Sequence, residues 1–95
     1  MIRSQSGSGR FEFDTDLFHF TAIDDHVGEV RCVIALVALE DLTGDAFDPA
    51  EPMSMFERHE TEIFDLAESV YVFRGLNERG VLAVGSHDTL RRLAL

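Results

Sequence analysis

The sequence predicts an α+β fold in two layers: an antiparallel sheet with a short and a long helix packed on one face. Three observations carry this expectation. Apolar and polar residues alternate with period 2 up to about residue 35, a helical apolar stripe follows from about residue 52, and 95 residues suit one domain. The sheet is expected to be a three-stranded N-terminal meander plus a C-terminal strand.

Taken in order, residues 1–9 hold the polar, Gly/Ser-rich run RSQSGSG and read as a flexible N-terminal tail, leaving 10–95 as the single domain. Phe11 and Phe13 alternate with Glu12 and Asp14, the mark of a half-buried strand, and Asp14-Thr15-Asp16 is a turn. The second strand, Leu17 to Ile23, sets Phe18, Phe20 and Ala22 on one face and Leu17, His19, Thr21 and Ile23 on the other. A turn at Asp24 to Gly28 leads to the third strand, Glu29 to about Ile34. Helical spacing then takes over at Leu36, Leu39 and Leu42, with Gly44 suited to the C-terminal cap. Pro49 and Pro52 make 45–51 a loop, and the main helix is expected from Pro52 or Met53 to Arg74, ending at Gly75. At 100° per residue, Met55, Phe56, Ile63, Leu66, Ala67, Val70 and Phe73 fall in one arc of roughly 120°. Val81 to Val84 is the last strand, and Ser86 or Asp88 caps a final helical turn through Leu93. The second sheet face carries Leu17, Ile23, Val33 and Leu82 or Val84 with no long helix left to cover it, so self-association through it is expected.

The chain is acidic, with a formal net charge of −10, and every basic residue is arginine. Such a field repels phosphate backbones and anionic lipid surfaces, which argues against nucleic-acid and membrane partners. The excess is concentrated: Glu40 to Glu68 holds ten acidic residues and Arg58 alone among bases. No apolar run opens the chain and the longest, Cys32 to Leu39, is far below the ~20 residues of a membrane span, so a cytoplasmic location is expected.

Motif tests for chemistry fail one after another. His59-Glu60 begins an H-E-x-x-H zinc signature, but Ile63 stands where the second histidine belongs. The acidic loop from Asp41 has Ala46 at the turn glycine of an EF-hand and Pro52 at its bidentate glutamate. Gly7-Ser8-Gly9 is no dinucleotide loop, and without lysine there is no Walker loop. Cys32, the single cysteine, sits mid-strand and reads as a buried, inert thiol. His26 lies in a turn and His87 near the C-terminal end without evident partners. His59 falls inside the apolar arc between Leu66 and Val70, where a hydrogen-bonded histidine at the core edge outweighs a binding or pH-sensing one. No catalytic, metal or cofactor residue is assigned.

The run Val30-Arg31-Cys32-Val33-Ile34-Ala35-Leu36-Val37-Ala38-Leu39-Glu40-Asp41 resembles the strand-into-helix signature of a small bacterial family known as domain of unknown function 1488. Phe56, His59, Ile63 and Ala67 along the long helix and Gly80-Val81-Leu82 at the last strand agree with it, so the resemblance spans about Phe11 to Asp88. Members commonly carry serine where Ala35 stands, which would cap the first helix, and arginine where Glu60 stands. The resemblance implies a compact α+β fold in the bacterial cytosol and implies no activity.

The expected function is therefore a non-enzymatic interaction or accessory module. Its working surface would be the acidic helix or the open sheet face, engaging an unknown protein partner or, at the exposed sheet face, a second copy by self-association. The alternative is a small-ligand-binding or enzymatic domain using His59, Glu60 and Arg74 at the edge of the long helix. Glu60 and Arg74 lie nearly four turns apart, which weakens a shared pocket.

Overall fold

The computed structural model describes residues 9–85 and the backbone of residues 2–4. In chain order its elements are β1 (Ile2–Ser4), β2 (Arg10–Glu12), β3 (Leu17–Asp24), β4 (Gly28–Ala35), α1 (Leu36–Thr43), α2 (Ser54–Arg58), α3 (Glu60–Phe73) and β5 (Val81–Val84). The expected final turn through Leu93 lies outside the described residues.

The β3–β4 hairpin is the centre of the sheet, in register from Leu17↔Ala35 to Asp24↔Gly28. Its turn is built by Asp24, whose Oδ1 accepts the amides of His26 at 2.7 Å and Val27 at 3.2 Å, and by Gly28 at φ 83°. Asp24 is buried. The His26 amide, with the Tyr71 hydroxyl and Val27 amide, holds its carboxyl below the usual range, and the same carboxylate pushes Tyr71 up.

Two features of the sheet correct the sequence reading. Ile2–Ser4, placed in a flexible tail by composition, pairs antiparallel with Ala22 to Asp24. β2 covers only Leu17 to His19 of the same β3 edge, so β1 meets backbone groups that β2 leaves open. The C-terminal strand, in turn, pairs parallel with β4, Arg31↔Val81 through Ile34↔Val84. Parallel neighbours need a crossover, and α1, α2 and α3 form it, carrying the chain back before β5 enters in the direction of β4. The sheet is otherwise antiparallel.

The main helix also differs from expectation, because it breaks at His59 (φ −115°, ψ 22°) into α2 and α3. Neither proline nor glycine stands there. The His59 ring instead bonds on both sides, and its amide is shared between the Met55 and Phe56 carbonyls at 3.3 Å each. The buried stripe still forms from Met55, Phe56, Ile63, Leu66, Ala67 and Val70, but Phe73 in the last turn is exposed.

These side chains meet Phe18, Phe20, Ala22, Val30, Cys32 and Ile34 from the hairpin, Ala38 and Leu39 from α1, and Leu82 and Val84 from β5. Leu82 and Val84 thus face the helices, and β5 contributes Val81 and Ala83 to the second sheet face. Period 2 alone left the phase of this four-residue strand open. Aromatic rings run through the seam in sequence: Phe11 on Phe18 at 4.5 Å, Phe18 on Phe56 at 5.9 Å, Phe56 on Phe20 at 5.3 Å and Phe20 on Phe64 at 5.0 Å. Phe47 packs onto Phe11 at 4.8 Å and so fastens the loop between α1 and α2 to the sheet.

Candidate functional site

The helices cover one face of the sheet, and strand alternation delivers a second set of residues to the other. β3 gives that open face Leu17, His19, Thr21 and Ile23; β4 gives Glu29, Arg31, Val33 and Ala35; β5 gives Val81 and Ala83. Register brings Arg10 opposite His19, Glu12 opposite Leu17, Thr21 opposite Arg31 and Val33 opposite Ala83. Arg10, His19, Thr21, Arg31, Val33 and Val81 line a hollow of about 340 Å³ on this face.

The polar groups here are unequally satisfied. Glu12 accepts the Thr15 hydroxyl at 2.6 Å and lies 3.8 Å from Arg10 and 3.7 Å from the His19 ring. The Thr15 bond, aided by His19 and Arg10, holds its carboxyl below the usual range. Nε2 of His19 is buried and has no hydrogen-bond partner among the described residues. Arg31 makes no ion pair among the described residues, and its side chain is exposed. A sheet centre carrying a free guanidinium, a second arginine 64% exposed and an unsatisfied imidazole nitrogen can accept negative charge or hydrogen-bond acceptors.

The residues singled out by sequence sit elsewhere. His59 joins α2 to α3, with Nε2 on Asp45 at 2.7 Å and Nδ1 on Glu62 at 3.0 Å. Arg58 adds a contact to the same Asp45 oxygen at 3.5 Å. The Glu62 bond, then the Asp45 bond, push the His59 pKa up, and His59 in turn holds Asp45 down. This cluster clamps the loop to the helix junction. Glu60 opens α3 beside it, whereas Arg74 caps the far end of that 14-residue helix, about 21 Å along the axis, and donates to the Ala83 carbonyl. His59 and Glu60 are neighbours; Arg74 does not join them.

Cys32 is buried, and burial pushes its thiol up to about 12, so it is protonated and inert at neutral pH. Among the described residues no group of three or more His, Cys, Asp or Glu is placed to hold a metal ion. No helix among them is long and apolar enough to cross a membrane.

Sequence reasoning placed His19 on this face but did not connect it with Arg10 and Arg31. The signal was the same period-2 alternation in the two flanking strands; what joins the three residues is pairing register, which alternation does not encode.

Comparison with known proteins extends the picture. No curated protein matches the chain. Among solved structures, a protein of unknown function from the DUF1488 family of Shewanella loihica PV-4, determined at 1.60 Å resolution, has the same fold. The two share 23% identity with a TM-score of 0.71, over 87% of this chain and 90% of the other. The family described as Protein of unknown function (DUF1488) matches residues 12–84, from the end of β2 to the end of β5. The hairpin, the helical crossover and the returning parallel strand all lie within that match, and the chain belongs to the DUF1488 family.

Proposed function

We propose that this chain is a non-enzymatic interaction module of the bacterial cytosol, that its working surface is the open face of the sheet, and that its partner there is a second copy. The observation that carries the reading is the distribution of charge. On the open face, Arg10 and Arg31 balance Glu12 and Glu29, so its described side chains sum to zero in a chain of net −10. The ten acidic residues from Glu40 to Glu68 all lie on the helices and their loops.

Face-to-face pairing of two sheets would place the acidic layers on the two outer sides, about 30 Å apart for layers of about 10 Å. That separation is several times the Debye length of about 8 Å at physiological salt, so repulsion between copies is least in this arrangement. The half-buried Leu17, Ile23, Val33, Ala35, Val81 and Ala83 supply the apolar contact, and the mixed charges suit a two-fold pairing of arginine with glutamate.

Sedimentation equilibrium tests the reading with two variants. The wild type should sediment as a dimer, Ile23→Glu as a folded monomer, and Val37→Glu on the exposed side of α1 as a dimer. A wild type that stays monomeric at high concentration, or a dimer disrupted by Val37→Glu and not by Ile23→Glu, overturns it.

A further inference from the structure

The hollow on the open sheet face has a chemistry of its own, and it needs residues of one chain only. From the geometry we infer that it is a binding site for a compact oxyanion, the phosphoryl group of a small molecule, held between Arg31 and Arg10.

The arrangement is specific. The two arginines stand on strands either side of β3, Arg10 opposite His19 and Arg31 opposite Thr21, so they flank the hollow diagonally with His19 and Thr21 between them. Neighbouring strands are about 4.8 Å apart and residues two apart on a strand about 6.8 Å, which puts the two backbones about 12 Å from one another. Two arginine side chains reach inward across that span to one phosphoryl group, and each offers the planar fork that matches its oxygens. The cost of recruiting them is low. Arg31 has no ion-pair partner to give up among the described residues, and Arg10 has only a 3.8 Å contact with Glu12, with its side chain 64% exposed.

A further observation points the same way. The Nε2 of His19 is buried beside the hollow with no hydrogen-bond partner among the described residues, and Glu12 is 3.7 Å away. A buried polar atom without a partner is costly, and native structures rarely leave one unless something else satisfies it. An oxyanion that draws Arg10 inward, away from its loose 3.8 Å contact with Glu12, supplies the missing acceptor. Val33 and Val81 make the remaining wall apolar, which leaves room for the body of a small molecule attached to the phosphoryl group. Glu29, two residues from Arg31 on the same face, lies outside the hollow lining and disfavours a larger polyanion.

The test is an NMR titration of the labelled full chain with inorganic phosphate, and separately with malonate, at constant ionic strength. Phosphate should give saturable shifts centred on the amides of Arg10, His19, Thr21 and Arg31. Arg31→Ala and Arg10→Ala should each weaken binding about tenfold or more, while Arg79→Ala, in the exposed turn before β5, leaves it unchanged. Malonate binding equal to phosphate would overturn the phosphoryl assignment. Non-saturable shifts, or equal losses in Arg31→Ala and Arg79→Ala, would overturn the site. Repeating the titration on Ile23→Glu, whose hollow no second copy covers, separates this inference from self-association: its failure to bind phosphate overturns the site whether or not the wild type dimerises, and a wild type that stays monomeric yet binds phosphate keeps the site while the pairing fails.

Discussion

His59 shows how a single side chain is fixed by groups distant in sequence. Both ring nitrogens face carboxylates, Asp45 across the loop and Glu62 one turn along α3, so the ring donates from both sides when protonated. Folding raises its pKa above the ordinary 6.5. A raised histidine contributes stability that is whole below the unfolded value and is lost as pH climbs through the folded one; the lowered Asp45 contributes above 3.8 and loses it as pH falls through its folded value. The clasp is therefore strongest in mildly acidic solution. Melting temperatures measured across a pH series should fall from pH 6 towards pH 9 by on the order of a few °C in the wild type, given the modest worth of partly exposed ion pairs. His59→Leu should stay folded and lose that component of the slope. A variant whose curve runs parallel to the wild type would show that the clasp contributes nothing. Of this site, the sequence made legible only that His59 sits at the core edge. Asp45 is 14 positions away, and no local pattern announces that the two meet.

At the scale of elements, α1 starts without help from a side chain. Ala35 is its N-cap at φ −68° and ψ 143°, the extended geometry of a capping residue, with no hydroxyl or carboxylate to offer. The Leu36 amide finds the Asp16 carbonyl at 2.9 Å instead, so the turn between β2 and β3 takes one of the orphan donors. Ala35→Ser should supply another acceptor and stabilise the protein by about 1 kcal/mol, or about 4–8 °C in Tm for a domain of this size. Equilibrium denaturation in urea checks it; an unchanged midpoint would mean that the amides at this end are already satisfied. The elements themselves were largely readable from sequence. Period 2 marked β3 and β4 and their faces, and Gly44 closes α1 in the left-handed conformation, its amide donating to the Glu40 carbonyl at 2.8 Å. What escaped was non-local. The break at His59 depends on a loop partner, β1 on a vacancy along β3, and the parallel sense of β5 on the path of three helices.

For the molecule as a whole, charge and sheet geometry act together. The helical layer carries most of the acidity and the described side chains of the open sheet face sum to zero, so in the proposed pairing two copies would repel at long range and fit at short range. Raising NaCl from about 50 mM to about 500 mM shortens the Debye length severalfold and should tighten the proposed dimer, because it screens the −10 of each copy more than it weakens an apolar interface. Sedimentation across that salt series reads the dissociation constant directly; a dimer that loosens with salt would place arginine–glutamate contacts, not apolar ones, in command of the pairing.

The divided edge of β3 has a protective effect. An unoccupied eight-residue border would be an invitation to any extended stretch of another chain, the route by which sheets grow into fibrils. Here β2 pairs with Leu17 to His19 at one end and β1 pairs with Ala22 to Asp24 at the other. With both ends of the border taken by the chain's own strands, a foreign segment finds no eight-residue edge to lie along, so β1 and β2 guard the chain against templated aggregation.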